Sequence, residues 1–383
     1  MKVGIVANEF FDARLGRMGG FGWVAWAAGR ALREVGGHEV VFLTTEFSVP
    51  RGRGETGGSA IITPRTRTRT GAGAKADFAR RIRQEKLDLF LTVDWRPHYT
   101  KILLCAPRTP ALVWVQDPRT TFDVRRVDSL RLPGTSSQVP AGIGRIDCTG
   151  LRNTFRFSHA VRRPIAMAGH AHYLEDKLEG TYGFRTPEYG FLPDPIRFPN
   201  VQREPSSRPS VVFLGRTDPV KRPWLFFELA ERNPEISFYL LGQMHFSGQG
   251  TWQTSKVPSN MRLTGHVGED EKFGILRRAW ALVNTSIHEA LPISFLEALS
   301  CEVPIVSMQN PDELASRFGS FAGRWDGDGS DGLDYLDESL HSIIGDEATR
   351  DIRGLRGRQW LEQTHNENAF VEALVTQYES MLK

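Results

Sequence analysis

The chain has 383 residues, 40% of them apolar and 24% charged, and a formal net charge of +3. That length predicts two domains, and that composition excludes a disordered, collagen-like or disulfide-scaffolded chain. The charge is uneven: residues 1–200 hold 30 Lys and Arg against 19 Asp and Glu, a net of +11, while residues 201–383 hold 18 against 26, a net of −8. A basic first half fits an anionic partner, such as a phosphorylated substrate or a membrane surface; equally, opposite charges help two halves pack.

In chain order, Val3 to Ala7 reads as a buried parallel strand, followed by a glycine-bearing loop, a helix from Trp23 to Arg33 and a strand from His38 to Leu43. Strand, loop, helix, strand is a βαβ unit and predicts a parallel sheet. The apolar start is too short for a secretory signal, and no later run approaches the ~18 apolar residues that span a bilayer. Residues 49–75 are rich in Arg, Gly and Thr and read as a mobile basic loop or an irregular sheet edge. Leu87–Val93, Ala111–Val115 and Arg163–Ala168 read as further strands, while 118–160 is a long polar segment with no periodic signal. Cys105, Cys148 and Cys301 offer no metal spacing and no paired framework, which fits a reducing compartment. Residues 199–209 read as a linker. A second series follows: strands at 210–215, 236–241, 280–286 and 303–307, helices at 223–232, 269–278 and 292–300, and an amphipathic helix from 368 to the end. The expected domains are 1–200, 201–365, and a C-terminal helix at 366–383 packing back toward the first. The fold class is α/β, two Rossmann-like domains facing across a central cleft.

Three places carry chemistry. Gly19 and Gly20 lie between the first strand and its helix, where glycine lets backbone N–H groups approach a phosphate or simply permits a turn. Gly215, Arg216 and Lys221 lie on the loop after the first strand of the second series; two cations before a helix suit a diphosphate, or are a solvated basic loop. Glu289 and Glu297 flank a helix start, where a carboxylate suits a sugar or ribose diol; the plainer alternative makes Glu289 a helix cap and Glu297 a surface residue. His170 and His172 read as polar lining or structure, and Trp23 and Trp26 as core or as a stacking face for an acceptor.

Taken together these motifs resemble the retaining nucleotide-sugar glycosyltransferases of family four (glycosyl transferases group 1), which have the GT-B fold. The resemblance rests on Gly19-Gly20, on Gly215-Arg216 with Lys221, on Gly265-His266-Val267, and on Glu289 and Glu297 followed by Ala298 to Val306. It is strong over 208–310 and looser over 1–48 and 110–200, where Phe191-Leu192-Pro193-Asp194-Pro195 stands before the linker. It implies that Arg216 and Lys221 hold the donor diphosphate and act in catalysis with Glu289, which orients the donor sugar. It implies that Glu297 binds the ribose, that Gly19, Gly20, Gly215 and the backbone at Leu291, Ile293 and Ser294 touch the phosphates, and that Val267 lies against the base. Gln116, Asp117 and His170 fall on the donor-sugar and acceptor side. Three departures stand out: Gln116 replaces a His that the family often has, Pro292 replaces a glycine, removing an N–H, and the long 118–160 segment has no placed counterpart in the family.

The resemblance implies a cytoplasmic transferase, peripheral at the inner membrane face in one version. It moves a sugar from a nucleotide diphosphate (UDP first, GDP or dTDP behind it) to an acceptor of glycan, glycolipid or natural-product synthesis. No metal and no further cofactor are expected. The rivals are a nucleotide-sugar hydrolase or epimerase of the same fold, and a silent nucleotide-sugar-binding subunit. Nucleic acid is not an expected partner, because the Arg-Thr stretch lacks interleaved aromatics for base stacking.

Overall fold

The structure is a computed structural model and describes residues 1–10, 19–45, 53–64, 72–135, 139, 148–184, 189–200, 202–243, 252 and 256–383. It divides into two compact units: residues 1–118, 146–197 and 365–383 form the first, and 119–145 with 198–364 form the second.

The elements in chain order begin with β1 (Lys2–Val6), α1 (Gly20–Glu34), β2 (Glu39–Leu43), β3 (Arg53–Thr56), β4 (Ser59–Ile62), α2 (Ala72–Gln84), β5 (Leu89–Val93), α3 (Tyr99–Leu103) and β6 (Ala111–Val115). Then come α4 (Thr121–Asp128), α5 (Cys148–Ala160), β7 (Ile165–Gly169), α6 (Leu174–Tyr182) and β8 (Tyr189–Phe191). The first unit's sheet runs β3-β4-β2-β1-β5-β6-β7-β8, parallel throughout except for the β3–β4 hairpin at its edge. Every residue of β5 and of β6 is buried, as expected of strands covered on both faces. The order runs outward from β1 in both directions, so the loops after β1 and β5 diverge and leave a crevice at the strand ends.

The second unit holds β9 (Ser210–Leu214), α7 (Pro223–Arg232), β10 (Ser237–Leu241), β11 (Met261–Gly265), α8 (Glu269–Leu276), β12 (Ala281–Asn284) and α9 (Ile293–Ser300). It continues with β13 (Ile305–Ser307), α10 (Leu314–Phe318), β14 (Gly319–Phe321), α11 (Leu333–Ile344) and α12 (Glu347–Thr364). Its all-parallel sheet runs β11-β10-β9-β12-β13-β14. Counted from β9 this is the doubly wound order of dinucleotide-binding domains, and its switch point lies between β9 and β12.

The last helix, α13 (Glu367–Leu382), belongs to the first unit. Asn366 caps it, accepting from the Ala369 N–H at 2.8 Å. Glu367 pairs with Arg30 at 3.0 Å and Arg197 at 3.1 Å, and Phe370 packs on Trp114 with ring centroids 5.2 Å apart. Phe370 is fully buried, so Phe370→Ala should cost the first unit about 3–4 kcal/mol. Chemical denaturation checks this; a loss under about 1 kcal/mol would mean that α13 docks through its ion pairs alone.

The structure selects between two readings at one segment and differs from the sequence reading at another. Within 49–75, residues 53–62 form the β3–β4 edge hairpin, which is the sheet-edge alternative of that reading, and Ala72 to Lys75 open α2; Arg65 to Arg69 lie outside the described residues. The polar segment 118–160, read as part of the first domain, is divided: 119–145 lies in the second unit and carries α4, and α5 lies in the first. The reason is α4's apolar face, since Val127 and Leu130 are buried in the second unit's core with Val211, Phe213 and Trp224. Moving 119–145 across, and 365–383 back, softens the charge contrast: the first unit holds 26 Lys and Arg against 20 Asp and Glu, a net of +6, and the second 22 against 25, a net of −3. Among the described residues, no helix is long and apolar enough to cross a membrane.

Candidate functional site

The loop after β9 is shaped by glycine. Gly215 has φ +156 and donates to Leu241 O at 2.9 Å, and a Cβ on the neighbouring Gly242 would lie 1.8 Å from Gly215 O. Only glycine lets the two strand ends approach this closely. Thr217 then fastens the loop, donating to Gln243 O from its N–H at 3.2 Å and its hydroxyl at 2.9 Å. Asp218 caps a short 3-10 turn at Pro219–Lys221, accepting from Lys221 N–H at 3.3 Å. The turn ends at Arg222, with φ +46, just before Pro223 opens α7.

Arg222 is one residue to which sequence reasoning gave no role. Its side chain is completely buried. It donates to Thr285 O at 2.7 Å, Ser286 O at 3.0 Å and Trp325 O at 2.8 Å, and it reaches the Met308 sulfur at 3.4 Å. Burial pushes its pKa down to about 9, so it stays charged at neutral pH. It therefore rivets the loop after β9 to the loop after β12. Thr285 returns the bond, donating its hydroxyl to Lys221 O at 2.6 Å and Arg222 O at 3.0 Å, and Ile287 N–H donates to Val220 O at 2.9 Å.

This rivet brings Lys221 and Glu289 together across the switch point. Lys221 Nζ donates to Glu289 Oε1 at 2.5 Å; the same oxygen accepts from Ser286 Oγ at 2.6 Å and Asn284 Nδ2 at 3.0 Å. Burial pushes the Glu289 carboxyl up, but the Lys221 charge and the three hydrogen bonds outweigh it and leave its pKa below the usual glutamate value. A carboxylate lowered on folding stabilises the fold above its unfolded pKa of ~4.3, and that contribution is lost as pH falls through the folded value. The stability gap between wild type and Glu289→Gln should therefore shrink on acidification from pH 6 to 3. Urea titrations across that range check it; a gap that widens would contradict the assignment.

Arg216 sits apart from this pair. Its side chain is half exposed, 3.3 Å from Asp218. Glu289 is not a helix cap: α9 starts after Pro292 and has no side-chain cap. Nor is Glu297 on the surface. It is buried on α9 and accepts from Lys272 Nζ of α8 at 2.5 Å. Burial dominates here and holds Glu297 above the usual carboxyl range, against the pull of Lys272. Lys272 was not foreseen, because nothing in the spacing of α8 announces a partner on α9. Leu291 and Pro292 are buried, whereas Ile293 and Ser294 at the start of α9 are half-buried. Val267 is half-buried one residue before Gly268, the N-cap of α8, whose first turn carries Glu269, Asp270 and Glu271.

The first unit places its predicted residues unevenly. Gly19 is the N-cap of α1 in an extended conformation, so no left-handed turn requires it. A Cβ on Gly20 would meet nothing within 4 Å, which leaves the backbone at the start of α1 open. Gln116 and Asp117 follow β6 and donate their N–H groups to Asp94 Oδ1 at 3.3 and 3.4 Å. The Gln116 side chain is buried, and its amide nitrogen has no hydrogen-bond partner among the described residues. His170, expected as polar lining or structure and placed by the resemblance on the donor-sugar and acceptor side, is 2% exposed, with Nδ1 2.8 Å from Asp194 Oδ2 and Nε2 2.9 Å from Gln116 O. Both ring nitrogens are spent inside the unit, tying the ends of β6, β7 and β8. His172 stacks on Phe191 with centroids 4.4 Å apart, Trp23 is buried, and Trp26 carries the Arg30 guanidinium 4.4 Å from its ring centroid. Among the described residues, no group of three or more His, Cys, Asp or Glu is placed to hold a metal ion.

Residues 196–315 match the family model described as glycosyl transferases group 1. That span contains Arg216, Lys221, Arg222, Lys272, Glu289 and Glu297. Among solved structures, the chain is similar to a sucrose-phosphate synthase from Thermosynechococcus elongatus, at 13% identity and TM-score 0.70 over 100% of this chain and 99% of that one. It is also similar to Anabaena Alr3699/HepE in complex with UDP-glucose, at 12% identity and TM-score 0.68 over 99% and 100% of the two chains. A third is WaaG, a glycosyltransferase involved in lipopolysaccharide biosynthesis, at 13% identity and TM-score 0.60 over 99% of each chain. At these identities the likenesses establish the fold: two doubly wound α/β units, as in GT-B enzymes. No curated protein sequence matches.

Proposed function

We propose that this chain, which carries the glycosyl transferases group 1 segment, is a retaining glycosyltransferase using a nucleotide diphosphate sugar. UDP is the first choice of nucleotide, ahead of GDP and dTDP. The observation that carries the reading is the Lys221–Glu289 pair at the β9/β12 switch point, inside the matched segment. An α/β unit of this order binds its ligand in that crevice.

The residues divide the work by charge. The Lys221 ammonium has three donors and the Glu289 bond takes one. The others, with the half-exposed Arg216, neutralise the diphosphate as it departs. The N–H groups of Ile293 and Ser294 at the start of α9 meet a phosphate oxygen, with the helix dipole behind them; Pro292 supplies none. Gly215 and the open backbone at Gly20 leave room for phosphate, while at Gly19 the Glu9 carboxylate stands where a Cβ would be. Glu297 takes the ribose hydroxyls with Lys272 balancing its charge, and Val267 flanks the base. Glu289 is ionised at neutral pH, so it orients the donor-sugar hydroxyls and faces the positive charge that grows on the sugar. It does not serve as a proton donor, and no glycosidase-type acid and nucleophile pair is called on; the leaving phosphate takes the acceptor's proton. The unpartnered Gln116 amide offers a bond to a sugar hydroxyl, with Asp117 beside it. The acceptor binds mainly to the first unit, whose net charge of +6 favours an anionic or membrane-associated acceptor at the cytoplasmic face.

The test is nucleotide diphosphate release from UDP-, GDP- and dTDP-sugars, with and without hexose, phosphosugar and lipid-linked acceptors, and the anomeric configuration of the product by NMR. The reading expects acceptor-stimulated release and a retained anomer. Release indifferent to every acceptor would make the chain a hydrolase, and an inverted anomer would contradict the mechanism.

A further inference from the structure

We propose that α4 is a positioning element for the Glu289 carboxylate, and that Asp123 acts on it through His288. The inference rests on the reading of Glu289 as the group that orients the donor sugar.

The helix leaves the chain just after β6 of the first unit, yet its inner face is built into the second. Asp123, Arg126 and Val127 are buried there, with Leu130 one turn further on. Its outer residues Thr121, Phe122 and Arg125 are exposed. A buried Asp and a buried Arg on one face of an eight-residue helix are a costly way to pack a helix. The apolar contacts of Val127 and Leu130 would hold it without them.

Two routes lead from that face to the Glu289 turn. The first runs through His288, the residue immediately before Glu289. Asp123 Oδ2 is committed to the capping box of α4, accepting from Thr120 N–H at 2.9 Å and Thr120 Oγ1 at 2.8 Å. That fixes the carboxylate so that Oδ1 lies 3.8 Å from His288 Nδ1. The distance is too long for a hydrogen bond, so the interaction is electrostatic between two buried groups. The second route runs through the loop after β14. Arg126 donates to Asp326 Oδ1 at 2.7 Å and to Trp325 O at 3.4 Å, while Ser129 Oγ accepts from Gly327 N–H at 3.1 Å. Trp325 O is the same carbonyl that accepts from Arg222. Arg222 in turn holds the carbonyls of Thr285 and Ser286, and Ser286 Oγ donates to Glu289. A single short helix thus braces the 285–289 turn from both of its ends.

Asp123→Asn keeps the size of the side chain and a cap acceptor, and removes the charge that faces His288. It should lower kcat about tenfold, with the donor KM and the affinity for the free nucleotide diphosphate within twofold of wild type. His288→Gln should do the same, and the double variant should fall no further than the weaker single variant, since both substitutions cut one link. Amide hydrogen exchange over 286–291 should speed up about tenfold in Asp123→Asn while that of α11 stays put. Leu340→Ala, a core truncation on α11, should lower the melting temperature with kcat unchanged, which separates positioning from general loosening. Wild-type kcat and wild-type exchange over 286–291 in Asp123→Asn would overturn the proposal, as would single-variant losses that multiply in the double variant. If the wild-type chain turns over no nucleotide sugar, the reading of its function fails, and the exchange measurement still decides whether α4 braces the turn.

Discussion

Lys221→Ala lowers kcat/KM for the nucleotide sugar about 10²–10³-fold, the usual cost of removing one electrostatic stabiliser from a transition state. Two losses combine. The departing diphosphate forfeits a cation held on a capped turn, and Glu289 forfeits the charge that keeps it ionised. Glu289 is 9% exposed in its side chain, and without Lys221 it keeps the neutral donors Ser286 and Asn284 but loses the ammonium. Since Lys221 lowers the Glu289 pKa through both its charge and its hydrogen bond, its removal raises that pKa. The acid limb of the kcat profile in Lys221→Ala should accordingly move to higher pH. Steady-state kinetics over pH 5–8 measure both effects. Unchanged donor kinetics would remove Lys221 from the machinery; a lower rate with an unmoved acid limb would keep its phosphate role and discard the coupling to Glu289.

Arg222→Met destabilises the second unit by about 3 kcal/mol, because the buried Thr285 O loses its guanidinium donor, Ser286 O is left with the Gln309 Nε2 bond at 3.0 Å, and Trp325 O is left with the longer bond from Arg126. For a domain of this size that is on the order of 6–12 °C in melting temperature. Methionine fills much of the volume, so the loss reports the hydrogen bonds more than a cavity. The loop carrying Lys221 and the turn carrying Glu289 are joined at this guanidinium, so donor turnover falls with stability. A melting temperature within about 2 °C of wild type would show that Thr285 Oγ1 and the Ile287–Val220 backbone bond suffice to hold the two loops.

How far the sequence could be read followed where each signal lay. Strands buried on both faces are continuous apolar runs, so β5, β6 and β9 were evident, and Pro223 marked the start of α7. By contrast, β11 exposes Arg262 and Leu263 and shows no alternation, so only the Gly265 turn at its end was visible. Helix α12 buries Arg350, Gly354 and Gly357 alongside Leu361, and a face made of glycine and arginine leaves no apolar stripe. In the site, Glu289, Glu297 and Lys221 were found because their spacing is local to one loop or helix. Their partners were not, since the pairings are distant in the chain: Lys272 lies 25 residues from Glu297, and Arg126 lies 200 from Asp326. The same distance hid the membership of α4 in the second unit. For His170 the sequence left lining and structure both open, because a buried histidine between a carboxylate and a carbonyl looks, in sequence, like one that lines a pocket.

The central claim is that the β9/β12 crevice of the second unit binds a nucleotide diphosphate. The most direct measurement is a thermal-shift series with UDP, GDP, dTDP and ADP on the wild type, Lys221→Ala and Glu297→Ala. A ligand at 100 times its Kd stabilises by ~2.7 kcal/mol, a readily measured shift. The account predicts a clear shift with one base on the wild type, strongly reduced in both variants. No shift with any nucleotide on a folded wild-type chain, or an equal shift in all three proteins, would contradict it.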